Sequence, residues 1–191
     1  MRRLAPVLAI VALAAAVLPR LAAADDTPRE RVRALEPDSL DRKLARFTAL
    51  ARLQAPQPAG AFELRIWRVS ASHEFGALFA DGQWRFLGPG PVQERDTRDV
   101  VRREETIVTV KAPDAAVVES TRALMAFDHR MVSCDNMLDG VFVVVQASVD
   151  GHPLLLGAAN PMWCRGEMAA RVTSLLDAVD AVQAPYRVAP D

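Results

Sequence analysis

Side chains able to do acid–base or metal chemistry occur at several places in the sequence, but their spacing matches no catalytic pattern. The stretch 73–77, His-Glu-Phe-Gly-Ala, begins like the zinc-protease signature, whose second histidine binds the metal four residues after the first. Ala77 cannot be that ligand. Residues 135–140 resemble the start of a calcium loop, but Met137 stands at the third position and no glutamate follows at the required distance. We therefore expect no metal and no cofactor.

Two further families of active site are disfavoured by the same kind of test. The nucleophile-elbow pattern Gly-x-Ser-x-Gly is absent, and Gly88-Pro89-Gly90 has a proline where a phosphate loop needs N–H donors. A small exported hydrolase with an unrecognised active site remains the alternative. In that case His73, Glu74 and Asp81 are the first residues to test, because a hairpin could bring them together.

The chain has only two cysteines, Cys134 and Cys164. Two cysteines 30 positions apart lack the spacing of a zinc site, so we expect a disulfide. Two buried thiols, or thiolate ligands shared with His129, are the alternatives. The bond would fasten the last predicted helix to the entry of the central hairpin. Closing a loop of about 31 residues is worth roughly 3–4 kcal/mol in the chain-entropy model.

Tryptophans and arginines supply the one candidate binding surface. Trp67 falls on the strand face opposite Ile66, between Arg65 and Arg68, and Trp84 falls on a second strand. If both tryptophans lie on the sheet face that the helices leave uncovered, they form a surface for a ligand or a partner, since Trp and Arg commonly anchor interfaces. The alternative is that they cap the edge of a small core.

The first 24 residues have the three parts of a secretory signal. Arg2 and Arg3 precede an apolar run, and Ala22-Ala23-Ala24 supplies small residues for cleavage. The apolar run of about 15 residues is shorter than the roughly 20 that cross a bilayer, which disfavours an uncleaved anchor. We predict a periplasmic or secreted protein with no stable membrane anchor after cleavage.

Charge disfavours nucleic acid as a partner. The chain has 23 basic and 24 acidic residues, and the predicted signal contains three of the arginines and no acid, so cleavage leaves a net charge of about −4. A binding partner would then be a protein or an envelope component.

The apolar periodicity predicts an α+β domain. Period-two segments and Asp-Gly turns indicate an antiparallel sheet of about five to six strands, with three helices packed mainly on one face and one disulfide. Gly88 to Pro91 is expected to break the sheet, and Asn160-Pro161 to start the last helix, with Asn160 as its cap. The predicted units are a cleavable signal (1–24), a flexible leader (25–36), a single domain (37–184) and a loose tail (185–191). The predicted helices span about 38–54, 113–128 and 160–183, and the predicted strands 62–66, 75–79, 83–87, 106–110, 141–149 and 153–158.

Together these features favour a non-enzymatic binding or accessory module, exported and disulfide-bonded. The basis is an exported, disulfide-fixed domain with no convergent catalytic set of residues.

Overall fold

The computed structural model describes residues 27–36, 61–70, 73–91, 105–134 and 140–186. Within these ranges the chain forms one eight-stranded sheet and two α-helices, with the strands in the order β1-β6-β8-β7-β2-β3-β4-β5. The strands are β1 (Glu30–Ala34), β2 (Phe62–Val69), β3 (His73–Ala80), β4 (Gln83–Pro91), β5 (Glu105–Thr109), β6 (Arg130–Cys134), β7 (Phe142–Val149) and β8 (His152–Ala159), and the helices are α1 (Ala115–Ala123) and α2 (Glu167–Gln183).

The α+β class is confirmed, but the prediction of five to six antiparallel strands is wrong in two respects. The described sheet has eight strands, and it is mixed, because β6 pairs with β8 in parallel while every other neighbouring pair is antiparallel. The extra strands, β1 and β6, are short and lack a clear apolar alternation. Of the three predicted helices, two are seen; the helix predicted over 38–54 lies outside the described residues, as do the predicted signal and residues 92–104.

Both predicted Asp-Gly turns are confirmed. Asp81 and Gly82 join β3 to β4 with φ of 52° and 70°, and Asp150 and Gly151 join β7 to β8 with φ of 53° and 80°. Two successive positive φ angles give the turn whose twist matches a hairpin, and Asp-Gly is among the pairs that adopt it most readily. The β7–β8 hairpin lies in the middle of the sheet, as its valine-rich sequence predicts.

The larger core lies between the sheet and the two helices. Helix α1 begins where the sequence predicts, because the Asp114 side chain accepts hydrogen bonds from the backbone N–H groups of Ala116 (2.9 Å) and Val117 (3.3 Å). Helix α2 buries an apolar stripe against the same sheet face. This stripe consists of Met168, Val172, Leu175, Leu176 and Val179.

A second apolar cluster covers the opposite sheet face. It consists of Leu35, Trp67, Val69, Met131 and Val144, all buried, and neither α1 nor α2 contributes a residue to it. The sheet is therefore apolar on both faces along its central strands.

The sheet continues through the segment predicted to break it. Strand β4 extends to Pro91, and its last residues pair with β3 across a bulge between Glu74 and Gly76. Strand β5 pairs with β4 only as far as Leu87. Beyond that point β4 has one described neighbour, and a strand edge tolerates proline because no ladder bond needs its missing N–H.

The segment predicted to be a flexible leader contains a strand instead. Residues Glu30–Ala34 pair antiparallel with β6 at the sheet edge. Their sequence, ERVRA, has three charged residues and a single valine, and four of the five residues are exposed, so no hydrophobic pattern reveals the strand.

Strand β1 also caps helix α2. The Glu30 carboxylate accepts hydrogen bonds from the backbone N–H groups of Met168 (3.3 Å) and Ala169 (2.8 Å). These donors belong to the first turn, where an N-cap side chain would normally serve them. The N-cap residue is Gly166, which has no side chain, and a Cβ there would overlap the Glu30 carboxylate. The predicted start of this helix at Asn160-Pro161 is therefore wrong.

Candidate functional site: the disulfide turn

The two tryptophans predicted to share a binding surface lie on opposite faces of the sheet, and both are buried. Trp84 is 1% exposed and packs in the helix-covered core, stacked on Phe86 with ring centroids 5.3 Å apart. Trp67 is 5% exposed and packs in the second cluster, where Gly76 on β3 leaves room for its ring. The condition for a shared surface is therefore not met, because Trp84 lies on the face that the helices cover.

The two arginines of the predicted surface, Arg65 and Arg68, also lie on opposite faces of the sheet. Arg65 shares the face of Trp67 and is buried. Arg68 lies on the helix side, where its guanidinium donates to both carboxylate oxygens of Asp180 (2.9 and 3.0 Å) and to the Leu176 carbonyl (3.2 Å). A two-pronged contact of this kind ties β2 to α2, so Arg68 holds the fold together rather than facing a ligand.

The backbone also separates the residues offered for a hydrolase. His73 and Glu74 begin β3, whereas Asp81 follows the end of that strand. A strand of this length spans roughly 25 Å at about 3.3 Å per residue, so the histidine and the aspartate lie at opposite ends of the hairpin.

The predicted disulfide is confirmed: Cys134 at the end of β6 is bonded to Cys164, with Cα atoms 5.7 Å apart. That separation is in the usual range for the bond. The prediction that Cys164 lies on the last helix is wrong. Cys164 lies two residues before Gly166, in extended backbone. The bond therefore fastens the approach to α2, rather than α2 itself, to the sheet.

Residues 160–165, which we call the disulfide turn, connect β8 to α2. The turn begins at Asn160, which is buried and left-handed (φ 53°), a conformation that asparagine adopts more easily than most residues. Its backbone N–H donates to the Val141 carbonyl (2.8 Å), and Gly140 is so close that any Cβ there would overlap the Asn160 amide. Buried Pro161 follows and starts a short 3-10 helix that ends at Trp163.

The far end of the disulfide turn is also held by backbone hydrogen bonds. After Cys164, the backbone of Arg165 bonds to the N-terminal strand region: its N–H donates to the Pro28 carbonyl (2.8 Å) and its carbonyl accepts from the Glu30 N–H (3.0 Å). The turn is therefore held at both ends by backbone hydrogen bonds and, one residue before its far end, by the disulfide.

Two large apolar side chains project from this rigid turn into solvent. Met162 is 46% exposed and Trp163 is 45% exposed, in contrast to the other two tryptophans. Sequence pattern does not reveal them, because Asn160-Pro161 predicts the start of a helix and so places them in its first turn. The run of proline, methionine and tryptophan directly before a cysteine was the signal that could have revealed them.

The described residues contain no cluster that suggests metal chemistry. Nowhere in these ranges do three His, Cys, Asp or Glu side chains come close enough together to hold a metal ion. No helix in the described ranges is both long and apolar enough to cross a membrane.

Comparison with known proteins identifies no relative of this chain. No protein-family model, no curated protein and no solved structure matches this chain.

Proposed function

We propose that this chain is an exported, disulfide-bonded protein that binds another protein and has no catalytic role. The observation that carries the proposal is the exposed pair Met162 and Trp163 on a turn held by the disulfide. The proposal keeps the binding module expected from the sequence but moves its contact surface away from Trp67 and Trp84, which are buried.

An exposed tryptophan on rigid backbone has the properties of an interface anchor. Tryptophan is enriched among the residues that dominate binding energy, and methionine adapts its shape to irregular partner surfaces. A turn that is already ordered loses little conformational entropy when it binds, so more of the contact energy remains as affinity. Solvent exposure of both side chains is unfavourable in the isolated protein, and a partner that covers them would relieve it.

Export is supported by two features that agree with each other. Residues 1–24 have the pattern of a cleavable signal, and disulfides persist mainly in oxidising compartments such as the periplasm or the extracellular space. For the alternative hydrolase, the described residues place His73 and Asp81 at opposite ends of β3. His129 Nε2 lies 3.6 Å from Asp128 Oδ2, but these two are sequence neighbours and the His129 side chain is 67% exposed, so this contact does not favour a hydrolase site.

The test uses residues 25–191 with the disulfide intact and a photo-crosslinking amino acid at a position on the turn. The photo-crosslinking amino acid replaces Met162. The purified protein is mixed with an extract of the producing cell's envelope, and the mixture is irradiated. We expect one or a few discrete protein adducts, which the additional change Trp163→Ala abolishes.

The matched control is Ile107→Ala. Ile107 is 54% exposed on β5, at the opposite edge of the sheet, so its truncation removes comparable apolar surface away from the turn. Adducts that survive Trp163→Ala but disappear in the Ile107 variant would contradict the proposed surface. The absence of any adduct, in extract and in culture medium alike, would contradict protein binding.

A further inference from the structure

Strand β1 is an exposed edge of the sheet. It stands at one end of the strand order; among the described strands only β6 pairs with it, and the backbone of Arg165 bonds to Pro28 and Glu30 at its start. Residues 31–34 are all exposed, and Val32 is 43% exposed despite being apolar. The outward backbone groups of such an edge are a template on which another extended chain can add a strand.

The side chains on this edge are strongly basic. Arg29, Arg31 and Arg33 occupy alternate positions and so share one face of the strand. Arg165 stands beside Arg29 in an isolated parallel bridge. The strand's one carboxylate, that of Glu30, points to the other face and is engaged at the start of α2. The Arg33 guanidinium donates to Met131 Sδ (3.7 Å), a neutral and weak acceptor that does not offset its charge.

This charge decides between possible occupants. If a second copy of the chain added its own β1, arginines would face arginines across the new pair, and like charges directly opposite are destabilising. An extended segment with Asp or Glu at alternate positions would instead place carboxylates opposite the arginines, which bind carboxylates with two parallel hydrogen bonds. Apolar residues at the intervening positions would cover Val32.

We propose that β1 binds an extended segment of a partner protein in which acidic and apolar residues alternate, as an added ninth strand. This inference rests on the proposed function, since the backbone of Arg165 joins the edge to the disulfide turn and the same partner would contact both. The disulfide turn supplies apolar contact. The edge supplies backbone hydrogen bonds, and its arginines favour a partner segment with acidic side chains.

The probe is a fluorescent eight-residue peptide that alternates Glu and Val, titrated by anisotropy with the disulfide-bonded chain 25–191. We expect saturable binding that weakens as salt rises. We expect Arg33→Glu to raise Kd about threefold or more, because an attractive charge pair becomes repulsive. Arg122→Glu is the matched control: it reverses one arginine on α1, where the side chain is 56% exposed and pairs with Asp150 (3.1 Å), and Kd should stay within about twofold of the unmodified chain.

Two further peptides separate strand addition from attraction between charges. An N-methylated version keeps its carboxylates but loses alternate backbone donors, and its Kd should rise by about tenfold or more. A peptide alternating Lys and Val should bind the Arg33→Glu variant better than it binds the unmodified chain, which also shows that the variant is folded.

Equal binding of the methylated and unmethylated peptides would overturn strand addition, and so would undiminished binding to the charge-reversed variant. Failure of every peptide to bind would overturn the β1 proposal. These outcomes are distinguishable from failure of the proposed function: crosslinked adducts at the disulfide turn that persist in the charge-reversed variant would leave the binding role standing without the edge.

Discussion

Replacing Glu30 tests whether the N-terminal strand is part of the folded domain. Glu30→Ala removes the acceptor from two N–H groups in the first turn of α2, those of Met168 and Ala169. Losing a helix cap costs about 0.5–2 kcal/mol, and losing a negative charge at a helix N-terminus costs about 0.3–1 kcal/mol. Because Glu30 is only partly buried, water would replace some of the bonding, and we expect a total loss of about 1–2 kcal/mol.

The measurement is urea unfolding of the disulfide-bonded chain 25–191, followed by far-ultraviolet circular dichroism. A loss of this size lowers the midpoint by about 0.5–1 M urea and Tm by about 3–6 °C. Glu30→Gln keeps one acceptor oxygen without the charge, and we expect about half the effect.

The control is Glu36→Ala, which removes the same side chain and charge from an exposed position just beyond β1. It should change the free energy of unfolding by no more than about 0.5 kcal/mol. Equal midpoints for the Glu30→Ala, Glu36→Ala and unmodified proteins would show that β1 does not cap α2, and the argument that the edge strand belongs to the domain would fail.

Four further substitutions test other contacts. Gly166→Ala should lower the free energy of unfolding by about 1–2 kcal/mol, because the added methyl group displaces the capping carboxylate of Glu30. In a double-mutant cycle with Glu30→Ala, most of that loss should vanish. Cys134→Ser/Cys164→Ser should lower the free energy of unfolding by roughly 3–4 kcal/mol, and reductant should then have no further effect on the urea midpoint. Arg68→Lys should cost about 1 kcal/mol in urea unfolding because the ammonium loses the two-pronged contact, without weakening capture of a partner. Gly76→Ala should cost about 1–3 kcal/mol and shift tryptophan emission to longer wavelength, because a Cβ there overlaps the indole opposite it on β2; an unchanged spectrum and midpoint would contradict that packing.

The sequence predicted those elements whose signal is local. The Asp81-Gly82 and Asp150-Gly151 turns, the cap at Asp114 and the apolar stripe of the last helix depend on residues within a few positions of one another, and all are seen. The disulfide was predictable because two cysteines allow only one pairing.

The missed features depend on residues far apart in the chain. Strand β1 has no hydrophobic pattern of its own and exists through pairing with β6, so its sequence resembles a polar leader. Whether Trp67 and Trp84 share a face cannot be predicted, because each strand's alternation does not tell which side of the sheet the helices cover. The start of α2 was misplaced because its cap is Glu30, 139 residues from the Ala169 N–H that it accepts.

The capping of α2 by β1 also has a consequence for the order in which the domain assembles. A chain made or threaded from its N-terminus presents β1 first, yet β1 has neither its pairing strand nor its helix until residues 130–134 and 167–169 have followed. Because contacts between distant parts of a chain must await loop closure, the first strand to emerge is among the last to be incorporated. If the chain is exported as we propose, β1 crosses the membrane before both of its partners. The N-terminal edge would then close only when nearly the whole chain is across.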